Sequence, residues 1–226
     1  MIGYALKNGW HYEINGKYWY KNNIKFKHMH WPIIEIFDFN QYGFINVKDR
    51  EVVDVGAFVG DSSIYFALRG AKRVYAVEPH PGAYAEMLEN IKLNNMQDKI
   101  IPINTAIGGK QDTIKVLANI DIVETMGMYH GFKGTNGIEI QTTTLKHLIN
   151  DYRVNPDILK MDCEGCEYDV IMNDYEDVRK FKELIIEIHV DKDSQKKLLN
   201  KLNIDYTCTT RITLSKHLKI IHCINQ

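Results

Sequence analysis

The chain has 226 residues, of which 45% are hydrophobic, and a formal net charge of −1 at pH 7. This length suits one α/β domain with a modest extension, because such a chain can bury about 70% of the surface that its unfolded form exposes. The near-neutral charge excludes a strongly basic field over the whole protein, and the lack of an apolar run of about 18 residues argues against a membrane partner.

Residues 1–50 precede the main pattern of the chain. They begin with Met1–Tyr4, which lacks the apolar region of a secretory signal, so we expect a cytoplasmic protein. Further along, Trp10–Ile14 and Lys17–Lys21 flank Asn15-Gly16, a dipeptide that favours a two-residue hairpin turn. We therefore predict a small N-terminal β-hairpin.

The stretch Lys21–Trp31 interleaves cationic and aromatic side chains. Such a mixture is typical of a local patch for an anionic or nucleic-acid substrate. The simpler interpretation, which we favour, is a solvated cationic edge over the main domain. The next segment, Ile33–Phe39, is apolar and is expected to pack under the sheet or beside the substrate cleft.

A strand, a glycine turn and a helix follow. Val52–Gly56 is rich in β-branched residues without polar alternation, which is typical of a strand buried on both faces of a parallel sheet. Gly56 and Gly60 permit the backbone to approach a ligand, and Asp61–Leu68 has the polar start and apolar face of a helix. The turn is therefore predicted to present free N–H groups to a ligand.

A second buried strand, Val74–Glu78, ends in an acid. Glu78 lies 22 residues after Gly56, and an acid about 20 residues beyond a glycine turn is placed to accept hydrogen bonds from both hydroxyls of a ribose. We therefore expect a nucleoside-containing cofactor across two adjacent strand ends.

Strands and helices continue to alternate, which implies right-handed crossovers and a parallel sheet. The further predicted helices are Pro81–Asn95, Leu145–Tyr152, Glu167–Asp174 and Ser194–Leu202. The further predicted strands are Ile100–Asn104, Ile158–Asp162 and Leu184–His189, with Asp205–Thr210 and His217–Ile224 as a closing antiparallel pair.

One long interruption, residues 109–141, contains only the short predicted strands Ile114–Leu117 and Ile138–Thr142. The glycine-rich segment between them is typical either of a binding loop or lid, or of a disordered surface excursion. His130, inside this segment, is a candidate substrate contact.

The glycine turn and four later stretches resemble a known family. The order Asp54-x-Gly56-x-x-x-Gly60 differs from the G-x-G-x-x-G of dinucleotide sites and resembles the S-adenosylmethionine (SAM) loop of class I methyltransferases. The stretches that resemble the FkbM-type methyltransferases, in the family's order, are Ala106-Ile107-Gly108, Thr143-Thr144-Leu145, Leu159 to Glu167 and Ile185 to His189. The resemblance covers roughly Val52 to His189, and its most specific piece is Lys-x-Asp-x-Glu-Gly-x-Glu. Lys146 stands where the family often carries an acid, so no substrate contact is assigned there.

The resemblance implies an α/β fold with a doubly wound, mostly parallel, seven-stranded sheet and a C-terminal antiparallel hairpin. Residues 51–226 would form the SAM-binding domain, and residues 1–50 an extension that caps the substrate side. Loop N–H groups would suit the carboxylate of SAM, Asp54 or Asp61 its ammonium, and Glu78 its ribose. The implied cofactor-binding residues are Asp54, Gly56, Ala57, Gly60, Asp61, Glu78, Asn104 and Ala106.

Two acids and a histidine stand at predicted strand ends. Asp162 ends one strand and His189 ends its neighbour, while Glu164 follows in a turn that a glycine permits. A hydroxyl acceptor must lose its proton during attack, and a carboxylate or histidine within about 3 Å of its oxygen can take that proton. We therefore assign Asp162 and Glu164 as substrate orienters or bases and His189 as the alternative base. Glu164 and Glu167 could instead favour a helix N-terminus, the interpretation that we prefer for Glu167.

Lys160 lies inside a strand that should be buried, and Glu187 on the neighbouring strand is its candidate partner. Asp162, Glu164, Glu187 and His189 also offer ligands for a divalent ion, although no metal is expected.

The four cysteines are not expected to organise the fold through disulfides. Cys163 and Cys166 have the spacing of a zinc or redox pair, but burial as small apolar side chains is favoured. Cys208 and Cys223 are expected to face each other in the closing hairpin.

The main hypothesis is a SAM-dependent methyltransferase that methylates a hydroxyl of a small-molecule or glycan substrate. A rival enzyme is an RNA methyltransferase that uses Lys21–Trp31, although the near-neutral charge makes a nucleic-acid partner the weaker alternative. A rival from another class is a non-catalytic module that holds SAM or another nucleotide. The acids at Asp162–Glu167 argue against that module, because a pure holder does not need them.

Overall fold

The computed structural model describes residues 1–116, 137–215 and 218–226. His130 and the central part of the 109–141 segment lie outside the described residues. Across those three ranges, no helix combines the length and the apolarity needed to cross a membrane.

Eight helices and thirteen strands lie within the described ranges. The helices are α1 (Ile2–Lys7), α2 (Trp31–Phe37), α3 (Asp61–Leu68), α4 (Pro81–Leu93), α5 (Leu145–Tyr152), α6 (Cys166–Asn173), α7 (Tyr175–Val178) and α8 (Lys192–Leu202). The strands are β1 (His11–Glu13), β2 (Tyr18–Lys21), β3 (Ile24–Phe26), β4 (Glu51–Val55), β5 (Arg73–Val77), β6 (Ile100–Ile103), β7 (Ala106–Ile107), β8 (Thr113–Val116), β9 (Ile138–Thr143), β10 (Ile158–Met161), β11 (Glu183–Ile188), β12 (Tyr206–Thr213) and β13 (Lys219–Asn225).

Seven strands form the main sheet, in the order β12-β13-β11-β10-β4-β5-β6. The strands from β11 to β6 pair in parallel, and β13 and β12 complete the sheet as antiparallel neighbours. The strand order changes direction between β4 and β10, which opens a crevice at their carboxyl ends. The prediction of a mostly parallel seven-stranded sheet with a C-terminal antiparallel hairpin is confirmed.

The central strands are buried because both faces of the sheet are covered. Every residue of β4 and of β10 is buried. One hydrophobic cluster joins this sheet to α3, α4 and the N-terminal residues, and a second joins it to α5, α6, α7 and α8. The uninterrupted apolar runs in the sequence therefore reflect coverage of both faces.

The N-terminal residues form a three-stranded antiparallel sheet of β1, β2 and β3 rather than a single hairpin. Glu13 pairs with Tyr18, so the loop between β1 and β2 spans residues 14–17 and not the two residues predicted. Trp10 and Phe26 belong to the same hydrophobic cluster as α3, so this segment packs directly onto the main sheet. The domain boundary after residue 50 stays a prediction.

Both cysteine pairs form disulfides, although bridges were not expected to organise the fold. Cys208 faces Cys223 across the β12–β13 pair, as expected, and the register places the two residues directly opposite each other. The expectation of two unbonded apolar side chains at Cys163 and Cys166 is wrong. The turn between β10 and α6 brings their Cα atoms to 5.5 Å, a separation that a disulfide spans.

Candidate active site

A cavity of about 800 Å³ opens at the carboxyl ends of the central strands. Its volume lies within the range of about 300–1,000 Å³ that is usual for small-molecule sites. The sequence-predicted site residues that line it are Gly56, Asp61, Glu78, Ala106, Asp162 and Glu164. The others lie behind this lining as far as the described residues define it; they are Asp54, Ala57, Gly60, Asn104 and His189. The cavity thus joins the predicted cofactor residues to the predicted catalytic acids.

Gly56 is required by the packing of two strand ends. It has a positive φ of 77°, and a Cβ atom there would lie 1.8 Å from the carbonyl oxygen of Asp162. An L side chain is disfavoured at such a φ, and the overlap with backbone leaves no room for one. The sequence pattern explained Gly56 by the close approach of a ligand. The structure adds a second reason, the close approach of the end of β10 to the end of β4.

Four N–H groups of the glycine turn donate within the protein, which does not favour their predicted donation to a ligand, while the role of the N–H groups at the start of α3 stays a prediction. Those of Gly56 and Ala57 both donate to the carbonyl oxygen of Val77 at 3.0 Å, and that of Gly60 donates to Ala57 at 2.7 Å. The N–H of Phe58 donates to Oε2 of Glu78 at 2.9 Å. The turn therefore places side chains around the cavity and fixes the position of Glu78 at the end of β5.

Asp54 links the end of β4 to the start of α3. Its side chain is fully buried, and its Oδ2 accepts hydrogen bonds of 2.6 Å from the hydroxyls of Ser62 and Ser63. Its Oδ1 lies 3.0 Å from Nζ of Lys160. This geometry does not favour the predicted direct contact between Asp54 and the cofactor.

Lys160 pairs with Asp54 and not with Glu187, its predicted partner. The parallel register places Lys160 beside Asp54, and its Nζ also donates to the carbonyl oxygen of Gly56 at 2.9 Å. Glu187 lies two residues beyond the β11 residue that pairs with Lys160. The same ammonium lies 3.9 Å from Asp162, so it connects the cofactor side of the cavity with the acid turn.

Glu78 is a buried acid that directly follows β5. Its Oε1 accepts from the N–H of His80 at 2.8 Å and its Oε2 from the N–H of Phe58. Burial raises the pKa of Glu78 to about 7. Asn104 supports this turn by donating to the carbonyl oxygens of Glu78 and Pro79.

Asp61, the first residue of α3, carries a buried acceptor without a protein partner. Its side chain is 3% exposed, and among the described residues its Oδ1 accepts no hydrogen bond. Burial raises the pKa of Asp61 to about 7. An unsatisfied buried acceptor is unfavourable, and Asp61 is one of the residues that line the cavity, so this oxygen points to a donor that comes from a ligand.

Acids surround His189 on the other side of the cavity. Its Nε2 lies 3.8 Å from Oδ1 of Asp162, 3.6 Å from Oε1 of Glu164 and 3.8 Å from Oε1 of Glu187. Glu164 has a positive φ of 56°, which turns the chain sharply between β10 and α6. The three residues assigned to catalysis from the sequence therefore meet in one cluster.

Glu167 holds this turn in place. It is 1% exposed, and its two oxygens accept from the N–H groups of Cys163 at 2.8 Å and Gly165 at 2.9 Å. Its Oε1 also lies 3.2 Å from Nδ1 of His189. The position at the start of α6 agrees with the helix N-terminus role preferred from the sequence, and the contact with His189 adds a second role.

The cluster has unusual electrostatics. Burial, together with the charge of Asp162, raises the pKa of Glu187 to about 9. Burial alone would lower the pKa of His189, but its hydrogen bond to Glu167 and the nearby carboxylates outweigh burial and raise the pKa to about 9. Burial also raises the pKa of Asp162. The crowding of acids around one imidazole therefore favours the protonated forms of Glu187 and His189 near neutral pH.

The N-terminal segment contributes cavity residues that the sequence analysis did not name individually, although it expected Ile33–Phe39 under the sheet or beside the substrate cleft. Glu35, Gln41 and Tyr42 line the cavity, and Nε2 of Gln41 lies 3.4 Å from Oε2 of Glu187. No motif marks these residues, because only the packing of residues 1–50 on the sheet brings them there.

Comparison with known proteins adds a family match. The family model described as "Methyltransferase FkbM domain" matches residues 54–218. Uncharacterized protein 158B of Sulfolobus islandicus rod-shaped virus 1 is 28% identical over 161 residues, which cover 71% of this chain and 74% of that protein. Protein arginine N-methyltransferase 6 of Danio rerio is 34% identical over 84 residues, which cover 36% of this chain but only 23% of that enzyme.

A solved structure shares the fold. The structure of M. capricolum TrmK, in complex with S-adenosyl-homocysteine, aligns with a TM-score of 0.51 and 16% identity. The alignment covers 84% of this chain and 67% of that one.

Proposed function

This chain belongs to the FkbM family of class I SAM-dependent methyltransferases, and we propose that it transfers the methyl group to a hydroxyl of a small-molecule or sugar-containing acceptor. One observation carries the proposal: Glu78 and Asp61, which we assign to the cofactor end, line the same cavity as Asp162 and Glu164, which we assign to the acceptor end. The first pair suits the cofactor, and the second suits an acceptor that must lose a proton.

The cofactor end fits the groups that SAM offers. The two oxygens of Glu78 each accept one backbone N–H and keep further lone pairs for ribose hydroxyls. The unsatisfied Oδ1 of Asp61 suits the ammonium of the methionine part. Ala106 lines the cavity beside the end of β6, where the adenine edge would lie. SAM, when bound, supplies a methyl group on a positively charged sulfur.

The acceptor end supplies positioning and proton transfer. Asp162 and Glu164 would orient the acceptor hydroxyl and take its proton, with His189 as the alternative base. Transfer requires the acceptor oxygen in line with the methyl carbon at about 3–3.5 Å. Glu167 would keep the turn and the imidazole fixed during this step, because it bonds to both.

The structure gives little support to an RNA substrate bound by Lys21–Trp31. Lys21 lies 2.7 Å from Asp38, and Lys27 lies 3.0 Å from Glu89. His28 and His30 both contact Glu86. These cationic groups are thus compensated by acids of the same chain, which weakens the attraction for a phosphate backbone.

Transfer of label from tritiated SAM to a panel of sugars, hydroxylated small molecules, amines and RNA tests the proposal. We expect label in the hydroxyl-bearing class alone, in an alkali-stable ether. Label confined to amines or RNA contradicts the proposal. Binding of SAM without transfer to any class favours the non-catalytic module.

The affinity for SAM is expected to rise with pH. Glu78 and Asp61 are half protonated near pH 7, and the ionised carboxylate is the form that accepts from ribose and ammonium. Between pH 6 and 7.5 the ionised fraction of a group with a pKa of about 7 grows about eightfold, so the two acids together should tighten SAM binding by about 60-fold. Calorimetry across this range measures the effect and should detect proton release on binding. The Asp61→Asn variant should show a flatter profile, and an unchanged profile in wild type contradicts the assignment of both acids.

A further inference from the structure

We propose that Asp162, Glu164 and His189 bind a divalent metal ion such as Mn²⁺, which takes two neighbouring oxygen atoms of the acceptor as further ligands. The metal site is argued from geometry, and the substrate class, an acceptor with adjacent oxygens, rests on the proposed hydroxyl methylation.

The donor atoms have the spacing of a metal site. One ligand atom from each of the three residues lies within 4.8 Å of the other two. In an octahedral site with bonds of about 2.1 Å, adjacent ligand atoms are about 3 Å apart and opposite ones about 4.2 Å. The distances of 3.8 and 3.6 Å from Nε2 of His189 to Asp162 and Glu164 fall between these limits, and both exceed the usual hydrogen-bond length of about 3 Å.

A second observation points to a metal rather than to a chance group of acids. A buried carboxylate, Glu167, lies behind His189 at 3.2 Å from its Nδ1. This contact directs Nε2 toward the acids, and metal-bound histidines commonly have such a carboxylate behind them. The same carboxylate also accepts hydrogen bonds from two backbone N–H groups of the turn that carries Glu164, and these bonds fix the turn.

The charge around the cluster also favours a cation. Glu187 brings a further carboxylate oxygen to 3.8 Å from Nε2 of His189. Lys160, the nearby ammonium, is 3.0 Å from Asp54 and 3.9 Å from Asp162, so one cation is shared by two acids. A divalent ion would stabilise the ionised forms of these carboxylates.

The position of the cluster leaves room for an acceptor. Asp162 and Glu164 line the cavity, so an ion bound to them would face it. Mixed carboxylate and imidazole ligands suit Mn²⁺ and similar ions, which take about six ligands. Three protein ligands leave positions for two acceptor oxygens. Coordination lowers the pKa of a bound hydroxyl, so that its proton passes to water, and with the ion bound Asp162, Glu164 and His189 serve as ligands and not as the base.

Binding of Mn²⁺ to the EDTA-treated protein, followed by the electron paramagnetic resonance signal of free Mn²⁺, tests the site. We expect one site in wild type and binding weakened at least about tenfold in Asp162→Asn and in Glu164→Gln, because each removes a charged ligand. A second group of possible ligands, His28, His30 and Glu86, makes His28→Ala the matched control, which should bind like wild type. Weakening in His28→Ala alone, or no binding in wild type, overturns the inference.

Two further measurements keep the test decisive. Thermal unfolding and SAM affinity show whether each variant is folded. If Asp162→Asn does not fold, the binding of Mn²⁺ to Glu164→Gln alone decides the test. EDTA should abolish methyl transfer and Mn²⁺ should restore it, with preference for acceptors that carry adjacent oxygens. Transfer that persists in EDTA overturns the metal inference and leaves the proposed function intact. Mn²⁺ binding without transfer to any hydroxyl acceptor contradicts the proposed function but supports the inferred metal site.

Discussion

Methyl transfer is expected to fall by about 10²–10⁴-fold in Asp162→Asn, the range for loss of a group that assists proton transfer, while the SAM affinity stays close to that of wild type. Asp162 lies on the acceptor side of the cavity, next to Glu164 and 3.8 Å from His189. The amide keeps the shape of the side chain and removes its charge. Turnover with tritiated SAM and calorimetric SAM binding, measured on the same preparation, check the two halves of this expectation.

The exposed Asp151 in α5 gives a matched control, since Asp151→Asn makes the same chemical change away from the cavity. Asp151→Asn should leave both the turnover and the SAM affinity unchanged. A parallel loss of SAM binding in Asp162→Asn would move Asp162 to the cofactor side. Full turnover would remove it from the mechanism.

Replacement of Lys160 by Met is expected to lower the free energy of unfolding by about 3–5 kcal/mol, because it leaves a buried carboxylate without its counter-charge. Asp54 is 0% exposed and Lys160 is 2% exposed, so water does not replace the lost partner. Urea denaturation followed by circular dichroism measures the change.

Two variants separate this effect from the loss of any lysine. Lys182 pairs with Asp157 at 2.6 Å but is 67% exposed in its side chain, so Lys182→Met should change stability by less than about 1 kcal/mol. The double variant Asp54→Asn with Lys160→Met should recover part of the stability lost in Lys160→Met. Equal losses in the two single lysine variants would show that burial of the pair does not matter.

Elements with a strong local pattern could be predicted closely from the sequence. The bounds of α3 and α5 agree with the prediction to the residue, and the central strands agree within one residue. Their caps and uninterrupted apolar runs are local features. Short elements such as α1, α7 and β3 were missed because three to six residues hold little periodicity. The loop between β1 and β2 is longer than predicted, and within it Lys17 has a positive φ of 52°.

The candidate site was predictable where residues follow strand ends and not where contacts cross the sheet. Glu78, Asp162 and Glu164 reach the cavity because parallel strands end at one edge. The pairing of Lys160 depended on which neighbouring strand offers an acid in register, and β4 rather than β11 does so. Gln41 was not identified because the packing of the N-terminal segment, which no motif encodes, brings it to the cavity.

The bridge between Cys163 and Cys166 has a consequence for the acid turn. It encloses Glu164 and Gly165 in a small covalent ring, so the conformation of the turn is coupled to the thiol–disulfide balance of its surroundings. In a reducing compartment the two sulfurs exist as thiols, and the shape of the turn then depends on the hydrogen bonds that the backbone N–H groups of Cys163 and Gly165 donate to Glu167. Adding a thiol reductant to a preparation would therefore change the acceptor side of the cavity while leaving the adenosyl side as it was.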